Sequence, residues 1–409
     1  MRRIAAALFA LAIVGAACSD DDAVTTTVAP PTTAAPTTAA PTTTTTAPTT
    51  TEAHIPIAVN VADAPEGLQD VVAEFYDWIA NQDGPRPDIR NGLAQSVSGV
   101  VVDEGMTIRA TAHWTLLKED GRSAAVVIAD DDVILAANQG AGWKIYGAHL
   151  ARFGLEPWFG DPVRHMLAIG TDARPGQDQE IFRADSIHIV SSNLPEQGGS
   201  IIGFPRDSYV AGSRGNDKFT HINTYDGPEG MVETAEAVSG IPLEGYVVTG
   251  FLGFIRLVND FGGVEVDIPF AMADPKSKAY FSAGPRLMWG DNALAFTRNR
   301  SISGGDFTRS FHHGLFIQST LMELVQRDIT VLPDLLAVLY EHSWTNMQVN
   351  QLLTLGATAF YLDSEKVGNA VLSGSVGSAG GASVVFLSES NAEIYADVAD
   401  DGMLEPEDD

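Results

Sequence analysis

Apolar and polar residues follow two different periods in the first folded part of the chain. Several large apolar side chains recur at intervals of three and four residues, which places them on one face of a helix. These residues are Leu68, Val71, Val72, Phe75, Trp78 and Ile79. Five β-rich runs follow, near 97–103, 106–117, 122–129, 131–137 and 142–149. One helix followed by an antiparallel sheet predicts a small α+β domain over residues 54–158, with a cone-like shape.

A second, larger domain is predicted over residues 161–399, where short apolar runs alternate with helical patterns. The strand candidates are 163–170, 186–191, 200–204, 246–249, 264–268 and 383–387. The helix candidates are 228–239, 251–261, 306–327, 331–342 and 347–360. Strands that alternate with helices favour an α/β fold built in layers.

The charge balance excludes one class of partner. The chain has 409 residues, with 24 Lys and Arg against 53 Asp and Glu and a formal net charge of −29. Proteins that bind nucleic acid need clustered basic residues to meet the phosphate backbone, so we expect no nucleic-acid partner. The acidic balance also argues against adsorption to anionic lipid. Against this background, any local cluster of arginines stands out.

The N-terminus has the pattern of a lipoprotein signal peptide over residues 1–18. Two arginines precede an apolar stretch that is too short to span a bilayer, and small residues then lead to Cys18, the single cysteine. We expect Cys18 to carry acyl chains that anchor the protein to the outer face of the cell membrane. Secretion with cleavage near Ala17 is the alternative. Either route places the protein outside the cytoplasm, and the anchored form lies within the cell-wall layer.

Two terminal segments are not expected to fold. Residues 19–53 form a linker rich in Thr, Pro and Ala, and residues 400–409 form an acidic tail. Neither composition can bury a core. The prolines favour an extended polyproline conformation, so the linker would hold the folded domains away from the membrane.

The first candidate chemistry consists of acidic and basic residues at strand ends. Asp172 follows the strand 163–170, and Arg183 and Asp185 precede the strand 186–191. Arg206 follows the next strand. Two carboxylates with phosphate oxygens and water are a typical environment for Mg²⁺. The alternative is that these aspartates only cap turns and pair with neighbouring arginines.

The second candidate set lies in the C-terminal half. Arg298 and Arg300 point the same way if the segment is extended. Asp306, Arg309 and His313 share one face of a predicted helix. Guanidinium groups bind phosphate oxygens in pairs, so convergent arginines would hold a pyrophosphate. The alternative is a set of exposed Arg–Asp pairs that contribute little to stability.

Several segments together resemble the motifs of the LytR–CpsA–Psr (LCP) family in order and context. They are Gly170-Thr171-Asp172-Ala173-Arg174, Arg183-Ala184-Asp185-Ser186-Ile187, Pro205-Arg206-Asp207, Lys218-Phe219-Thr220-His221-Ile222-Asn223, Gly290-Asp291-Asn292-Ala293-Leu294-Ala295-Phe296, and Arg298-x-Arg300 followed by Asp306-x-x-Arg309. The resemblance covers roughly residues 163–390. It implies a layered α-β-α domain with a central mixed sheet and a hydrophobic lipid tunnel, and it makes 161–399 the expected catalytic domain.

The resemblance also implies an activity. LCP proteins join wall glycopolymers such as teichoic acid to peptidoglycan through a phosphodiester bond, so we expect a Mg²⁺- (or Mn²⁺-) dependent phosphotransferase. Its expected partners are a polyprenyl-pyrophosphate glycan donor and a peptidoglycan acceptor. By position, Asp172 and Asp185 would bind the metal. The residues expected to hold the pyrophosphate are Arg183, Arg206, Arg298, Arg300, Arg309 and His313. Arg206, Arg298, Arg300 and Asp306 are expected to act in catalysis.

The chain departs from the family pattern after Arg309. The family usually has Arg and Gln three and four residues further on, whereas this chain has His312 and His313. His313 is able to replace the Gln as a phosphate contact, more strongly when protonated. The alternatives are a prenyl-pyrophosphate binding protein with weakened catalysis and a pyrophosphate hydrolase. We expect activity, because the change removes neither the two aspartates nor the main arginines.

Overall fold

The computed structural model describes residues 54–117, 121–299 and 303–405. Within this part, the chain from His54 onward forms one compact unit that contains two main sheets. Cys18, the predicted signal peptide, the linker, Arg300 and the last residues of the acidic tail lie outside the described residues. Among the described helices, none is both long and apolar enough to cross a lipid bilayer.

The N-terminal sheet has five strands in sequence order. They are β1 (Ala58–Ala62), β2 (Thr107–Leu116), β3 (Ser123–Ala129), β4 (Asp132–Asn138) and β5 (Trp143–His149). β1 pairs with β2 in parallel, and the remaining pairs are antiparallel. The sheet packs against α1 (Leu68–Ala80) and α2 (Asn91–Ser96), which confirms the predicted first helix. The cone-like shape and the domain boundaries stay predictions.

One predicted strand in this region is wrong. Residues 97–103 contain no strand, and β1 occupies the edge of the sheet instead. Val97 ends α2, and Gly99 adopts a φ of 76°, which interrupts any extended run. Val97 and Val102 are buried in the core whereas Val101 is 87% exposed, so this segment contributes to the core without pairing in the sheet.

The second sheet is mixed and has six strands in the order β16-β11-β6-β7-β8-β17. These are β6 (Val163–Thr171), β7 (Ala184–Asn193), β8 (Gly198–Gly203), β11 (Tyr246–Thr249), β16 (Trp344–Thr345) and β17 (Val367–Val371). β6, β7 and β8 are antiparallel neighbours, whereas β11 and β17 add in parallel on either side. The central mixed sheet predicted for this region is therefore confirmed.

Helices cover both faces of the second sheet. One layer contains α3 (Phe219–Tyr225), α4 (Gly227–Ser239) and α10 (Asn391–Asp401), whose apolar side chains join those of the sheet in one core cluster. The opposite layer contains α5 (Phe251–Phe261), α6 (Gly290–Thr297), α7 (Asp306–Val325), α8 (Leu332–His342) and α9 (Val349–Ala359). This arrangement confirms the layered α-β-α fold.

Four two-stranded antiparallel sheets extend from these layers. They are β9 (Tyr209–Gly212) with β10 (Gly215–Lys218), β12 (Val264–Ile268) with β15 (Gly284–Met288), β13 (Met272–Asp274) with β14 (Ala279–Phe281), and β18 (Gly374–Ala379) with β19 (Ala382–Leu387). The predicted strands 264–268 and 383–387 exist, but they belong to two-stranded sheets and not to the central sheet.

The two main sheets share an apolar layer. Side chains from β3 and β4 pack in one cluster with side chains from α8 and α9, including Leu332, Leu336 and Leu352. Polar contacts supplement this layer, since Gln139 donates to Asn350 over 3.1 Å. α8 and α9 therefore connect the N-terminal sheet to the layer that contains α5, α6 and α7.

Candidate functional site

A β-bulge positions the first functional side chains. Gly170 pairs with Ser186 and Thr171 pairs with Ala184, so Asp185 is the extra residue between two regular pairs of the β6–β7 ladder. Bulges redirect side chains and occur often beside active sites. Here Asp185 and Ser186 both line the same cavity. Gly170 makes room for this, because a Cβ there would lie 3.0 Å from Cβ of Ser186.

Four charged side chains from three segments of the chain meet at this bulge. Arg206, which follows β8, forms an ion pair with Asp185. Its Nε lies 3.9 Å from Oδ1 of Asp306 at the start of α7. Arg309, one turn further along α7, pairs with Asp306 and lies 3.9 Å from Asp185. We refer to Asp185, Arg206, Asp306 and Arg309 as the acid–arginine cluster.

Electrostatics keep Asp185 and Arg206 ionised. Burial alone would raise the pKa of Asp185, but Arg309 and Arg206 outweigh it and hold that pKa below its usual value. Burial would lower the pKa of Arg206, and Asp185 outweighs this and raises it. Only 3% of Arg309 is exposed, so its charge is largely withdrawn from water and depends on these carboxylates.

The cluster has polar atoms left without partners. Nε of Arg206 and Oδ2 of Asp306 are buried and make no hydrogen bond within the described part of the chain. Oδ1 of Asp172 is in the same condition. A buried polar group without a partner costs about 1–3 kcal/mol. Three such atoms at one sheet edge indicate a site arranged for a ligand that supplies both acceptors and positive charge.

Asp172 and Arg183 form a neighbouring pair at the same strand end. The backbone N–H of Asp172 donates to the carbonyl of Arg183 over 2.9 Å, which continues the β6–β7 ladder. Their side chains form an ion pair of 2.7 Å, and the Arg183 side chain is 52% exposed. The structure thus pairs Arg183 with Asp172 and places it in no contact with the acid–arginine cluster.

The donor set fits one hard cation only in part. No group of three His, Cys, Asp or Glu residues close enough to hold a metal occurs in the described ranges. Mg²⁺, however, commonly uses one or two protein carboxylates and completes its shell with phosphate oxygens and water. Asp172, with its unpartnered Oδ1, and Asp185 fit that pattern of two carboxylates.

An apolar cavity of about 170 Å³ adjoins the cluster. It lies between the central sheet and the helices of one layer, and its apolar lining includes Phe251, Phe254, Leu294 and Phe316. Asp185, Arg298 and His313 contribute charged or polar groups to the same lining. The guanidinium of Arg298 lies 4.4 Å from the ring centre of Phe251, a cation–π contact that fixes its plane. That this cavity continues as a lipid tunnel stays a prediction.

His313 occupies the cavity wall as a neutral ring. Its Nε2 lies 2.7 Å from the carbonyl oxygen of Thr297, so Nε2–H is the donor. Burial, with smaller contributions from His188 and Arg309, lowers the pKa of His313 well below its usual value. The neutral ring therefore presents Nδ1 as an acceptor, and that atom has no partner among the described residues. The predicted phosphate contact of His313 would require a second ring proton.

Sequence reasoning assigned no role to four polar residues around the site. Ser186 lines the cavity, and its hydroxyl oxygen lies 3.1 Å from Nδ1 of His188. Lys218 donates to Asp207 over 3.0 Å, and Oδ1 of Asp207 lies 3.7 Å from Nε of Arg206. Asp207 and Lys218 belong to segments that resemble the family motifs, and this membership is a sequence signal for both residues. His188 lies in the middle of an apolar strand, where nothing marks it as functional.

Comparison with known proteins places this site in a family. A model described as the LytR_cpsA_psr family matches residues 161–398. The polyisoprenyl-teichoic acid–peptidoglycan teichoic acid transferase TagT of Bacillus subtilis is 33% identical over 144 residues, which cover 33% of this chain and 45% of the relative. TagU of Bacillus cereus, which carries the same transferase description, is 29% identical over 201 residues, which cover 48% of this chain and 64% of the relative. The chain thus spans less than two thirds of either relative.

The fold has a solved counterpart. The crystal structure of B. subtilis TagV matches with a TM-score of 0.51 at 24% identity, over 59% of this chain and 96% of that one. Similarity at this level supports the α-β-α fold and carries no information on the substrate.

Proposed function

The chain belongs to the LytR_cpsA_psr family, and from this premise we propose that it transfers a glycan phosphate from a polyprenyl-pyrophosphate carrier to peptidoglycan. The observation that carries the proposal is the acid–arginine cluster at an apolar cavity. A pyrophosphate with a lipid tail needs positive charge and an apolar compartment side by side. The teichoic acid transferase descriptions of TagT and TagU support the same reaction class.

The chain's own residues are suited to bind the pyrophosphate. Arg206 and Arg309 can exchange carboxylate partners for phosphate oxygens, and the unpartnered Nε of Arg206 already offers a donor. Arg298 approaches from the cavity wall with its plane fixed by Phe251. Bidentate guanidinium contacts bind phosphates with defined geometry as well as with charge. Arg183 and Arg300 are proposed as further phosphate contacts.

Transfer then requires positioning and charge stabilisation. The oxygen of a peptidoglycan hydroxyl attacks the glycan-linked phosphorus, the bond from that phosphorus to the bridging oxygen breaks, and prenyl phosphate leaves. Asp306 holds Arg309 in place, and its Oδ2 is free to accept the proton of the attacking hydroxyl. A divalent cation, Mg²⁺ or Mn²⁺, held by Asp172 and Asp185 would neutralise phosphate charge. The arginines stabilise the charge that develops on the transferred group.

The N-terminal segments are proposed to determine where this happens. Acylated Cys18 would anchor the protein to the outer face of the membrane, where a prenyl-linked donor resides. The linker 19–53 would carry the folded part into the wall layer, where peptidoglycan is available.

A second candidate is a prenyl-pyrophosphate binding protein with weakened catalysis. The observation that favours it is the neutral His313, which presents an acceptor where the family has a Gln amide. His313→Gln separates the two candidates, since the neutral Gln amide can donate a hydrogen bond to a phosphate oxygen. The second candidate is supported if the wild type binds the donor without turnover and the His313→Gln variant catalyses transfer.

The proposed activity is tested with the full-length chain in detergent. The protein is incubated with a prenyl-pyrophosphate oligosaccharide, Mg²⁺ and peptidoglycan fragments, and products are identified by mass spectrometry. We expect a phosphodiester product from the wild type. We expect the transfer rate of Arg206→Ala to be at least about 100-fold lower, because a charge-assisted contact made in the transition state contributes about 3 kcal/mol or more.

The control for this assay is Arg214→Ala. Arg214 lies over the ring of Tyr225, outside the cluster, and we expect transfer to be unchanged. Free glycan phosphate without attachment would instead indicate a hydrolase. Equal turnover by the wild type and by Arg206→Ala would show that the cluster is not the active site.

A further inference from the structure

Ser186 lies within the site but has no role in the transfer described so far. It follows Asp185 directly, and the bulge brings both residues to the wall of the cavity. Its hydroxyl oxygen lies 3.1 Å from Nδ1 of His188. The direction of this hydrogen bond decides whether the hydroxyl presents a proton or only lone pairs to a ligand.

His188 fixes that direction. Its Nε2 lies 3.0 Å from the carbonyl oxygen of Ser310, and a carbonyl can only accept, so Nε2 carries the ring proton. The ring is fully buried and has no carboxylate among its hydrogen-bond partners, which favours the neutral form. In a neutral ring protonated at Nε2, Nδ1 is the acceptor. Ser186 must therefore donate its proton to His188.

The backbone is built around this chain of hydrogen bonds. Gly203, on the neighbouring strand, faces His188 and Ser310. A Cβ at this position would lie 2.8 Å from Nε2 of His188 and would overlap the Ser310 hydroxyl. Only glycine leaves the ring in the position where it reaches both partners.

We propose that the hydroxyl oxygen of Ser186 is a third protein ligand of the divalent cation, beside Asp172 and Asp185. With its proton held by His188, the oxygen turns only lone pairs toward the cavity, and lone pairs attract a cation and repel a phosphate oxygen. Serine and threonine hydroxyls hold Mg²⁺ beside phosphates in this manner in nucleotide-binding P-loops. The inference rests on the proposed function, since the metal site is part of that function.

The test uses Mn²⁺ alone as the probe and the full-length chain in detergent. The electron paramagnetic resonance signal of free Mn²⁺ gives the affinity, and water proton relaxation gives the number of water molecules on the bound ion. We expect Ser186→Ala to weaken binding about tenfold, the order found when a residue that supports a metal site is removed. We also expect about one additional water on the ion, because water takes the place of the lost hydroxyl.

Two further variants make the test decisive. Ser186→Thr keeps a hydroxyl and is expected to restore both affinity and water number, whereas Asp185→Asn removes a proposed carboxylate ligand and is expected to abolish binding. If Ser186→Ala keeps the wild-type affinity and water number while Asp185→Asn loses binding, Ser186 is not a ligand. The proposed metal site at Asp185 would then still stand. Weaker binding with an unchanged water number would also exclude Ser186 as a ligand, since Ser186 would then act only on the fold. Full binding in Asp185→Asn would remove the metal site of the proposed function itself.

Discussion

His312→Phe is expected to make the protein more resistant to mild acid. The His312 side chain is fully buried, and neither ring nitrogen has a hydrogen-bond partner in the described residues. It is stacked on Phe296 with ring centres 4.8 Å apart, and Phe270 lies 5.6 Å away. Burial among these rings lowers its pKa to about 4. The ring is therefore neutral in the folded protein at pH values where it is charged in the unfolded chain.

The sign and size of the effect follow from this difference. Between the folded pKa of about 4 and the unfolded pKa of about 6.5, the unfolded chain binds more protons, so falling pH favours unfolding. The contribution of His312 is close to zero at pH 8 and reaches about 1.4 kcal/mol of destabilisation at pH 5.5. Phenylalanine does not titrate, so the substitution removes this pH-dependent loss. Any packing cost of the larger ring is the same at both pH values and cancels in the comparison.

The assay is urea unfolding of the full-length wild type and variant, followed by tryptophan fluorescence at pH 8 and pH 5.5. We expect the stability difference between variant and wild type to shift in favour of His312→Phe by about 1.4 kcal/mol at the lower pH. Phe219→Leu is the control, because it disturbs the buried ring pair of Phe204 and Phe219 in the opposite helical layer, and its effect is expected to be equal at both pH values. If the stability difference between His312→Phe and the wild type does not change with pH, the buried His312 does not cause the predicted loss of stability in mild acid.

Two further predictions concern the site and its support. Arg298→Lys keeps the charge but loses the planar fork that lies over Phe251, so we expect transfer to fall at least about tenfold, while Arg286→Lys, outside the site, leaves the transfer assay unchanged. Gly203→Ala places a methyl group against the Ser310 hydroxyl, so we expect the free energy of unfolding to fall by about 1–3 kcal/mol, seen as a lower urea midpoint. An unchanged midpoint would show that Gly203 is not closely packed against Ser310.

Much of the fold could be predicted because its signals are local. The apolar face of α1 and the apolar runs of β6, β7 and β8 follow from periodicity alone. The failure at 97–103 has a physical reason, since β-branched residues can also be buried outside strands, as Val97 and Val102 are here. Val101 stays exposed and Gly99 takes a left-handed conformation, so tertiary structure overrides the local preference there.

The candidate site could be predicted only in part. The helical spacing of Asp306 and Arg309 correctly predicts that the two side chains meet. Their meeting with Asp185 depends on the bulge in β7, which no residue type announces. The orientation of His188 depends on a carbonyl 122 residues away in sequence, and contacts at that separation leave no local pattern.

We propose that the apolar cavity beside the acid–arginine cluster holds the lipid end of a prenyl pyrophosphate. Native mass spectrometry of the full-length chain, incubated with a prenyl-pyrophosphate oligosaccharide, tests this most directly. We expect a bound donor in the wild type and at least about a tenfold weaker signal in Leu294→Trp, whose larger side chain fills the cavity. No bound donor in the wild type, or equal binding in both proteins, would show that this cavity does not hold the lipid of the donor.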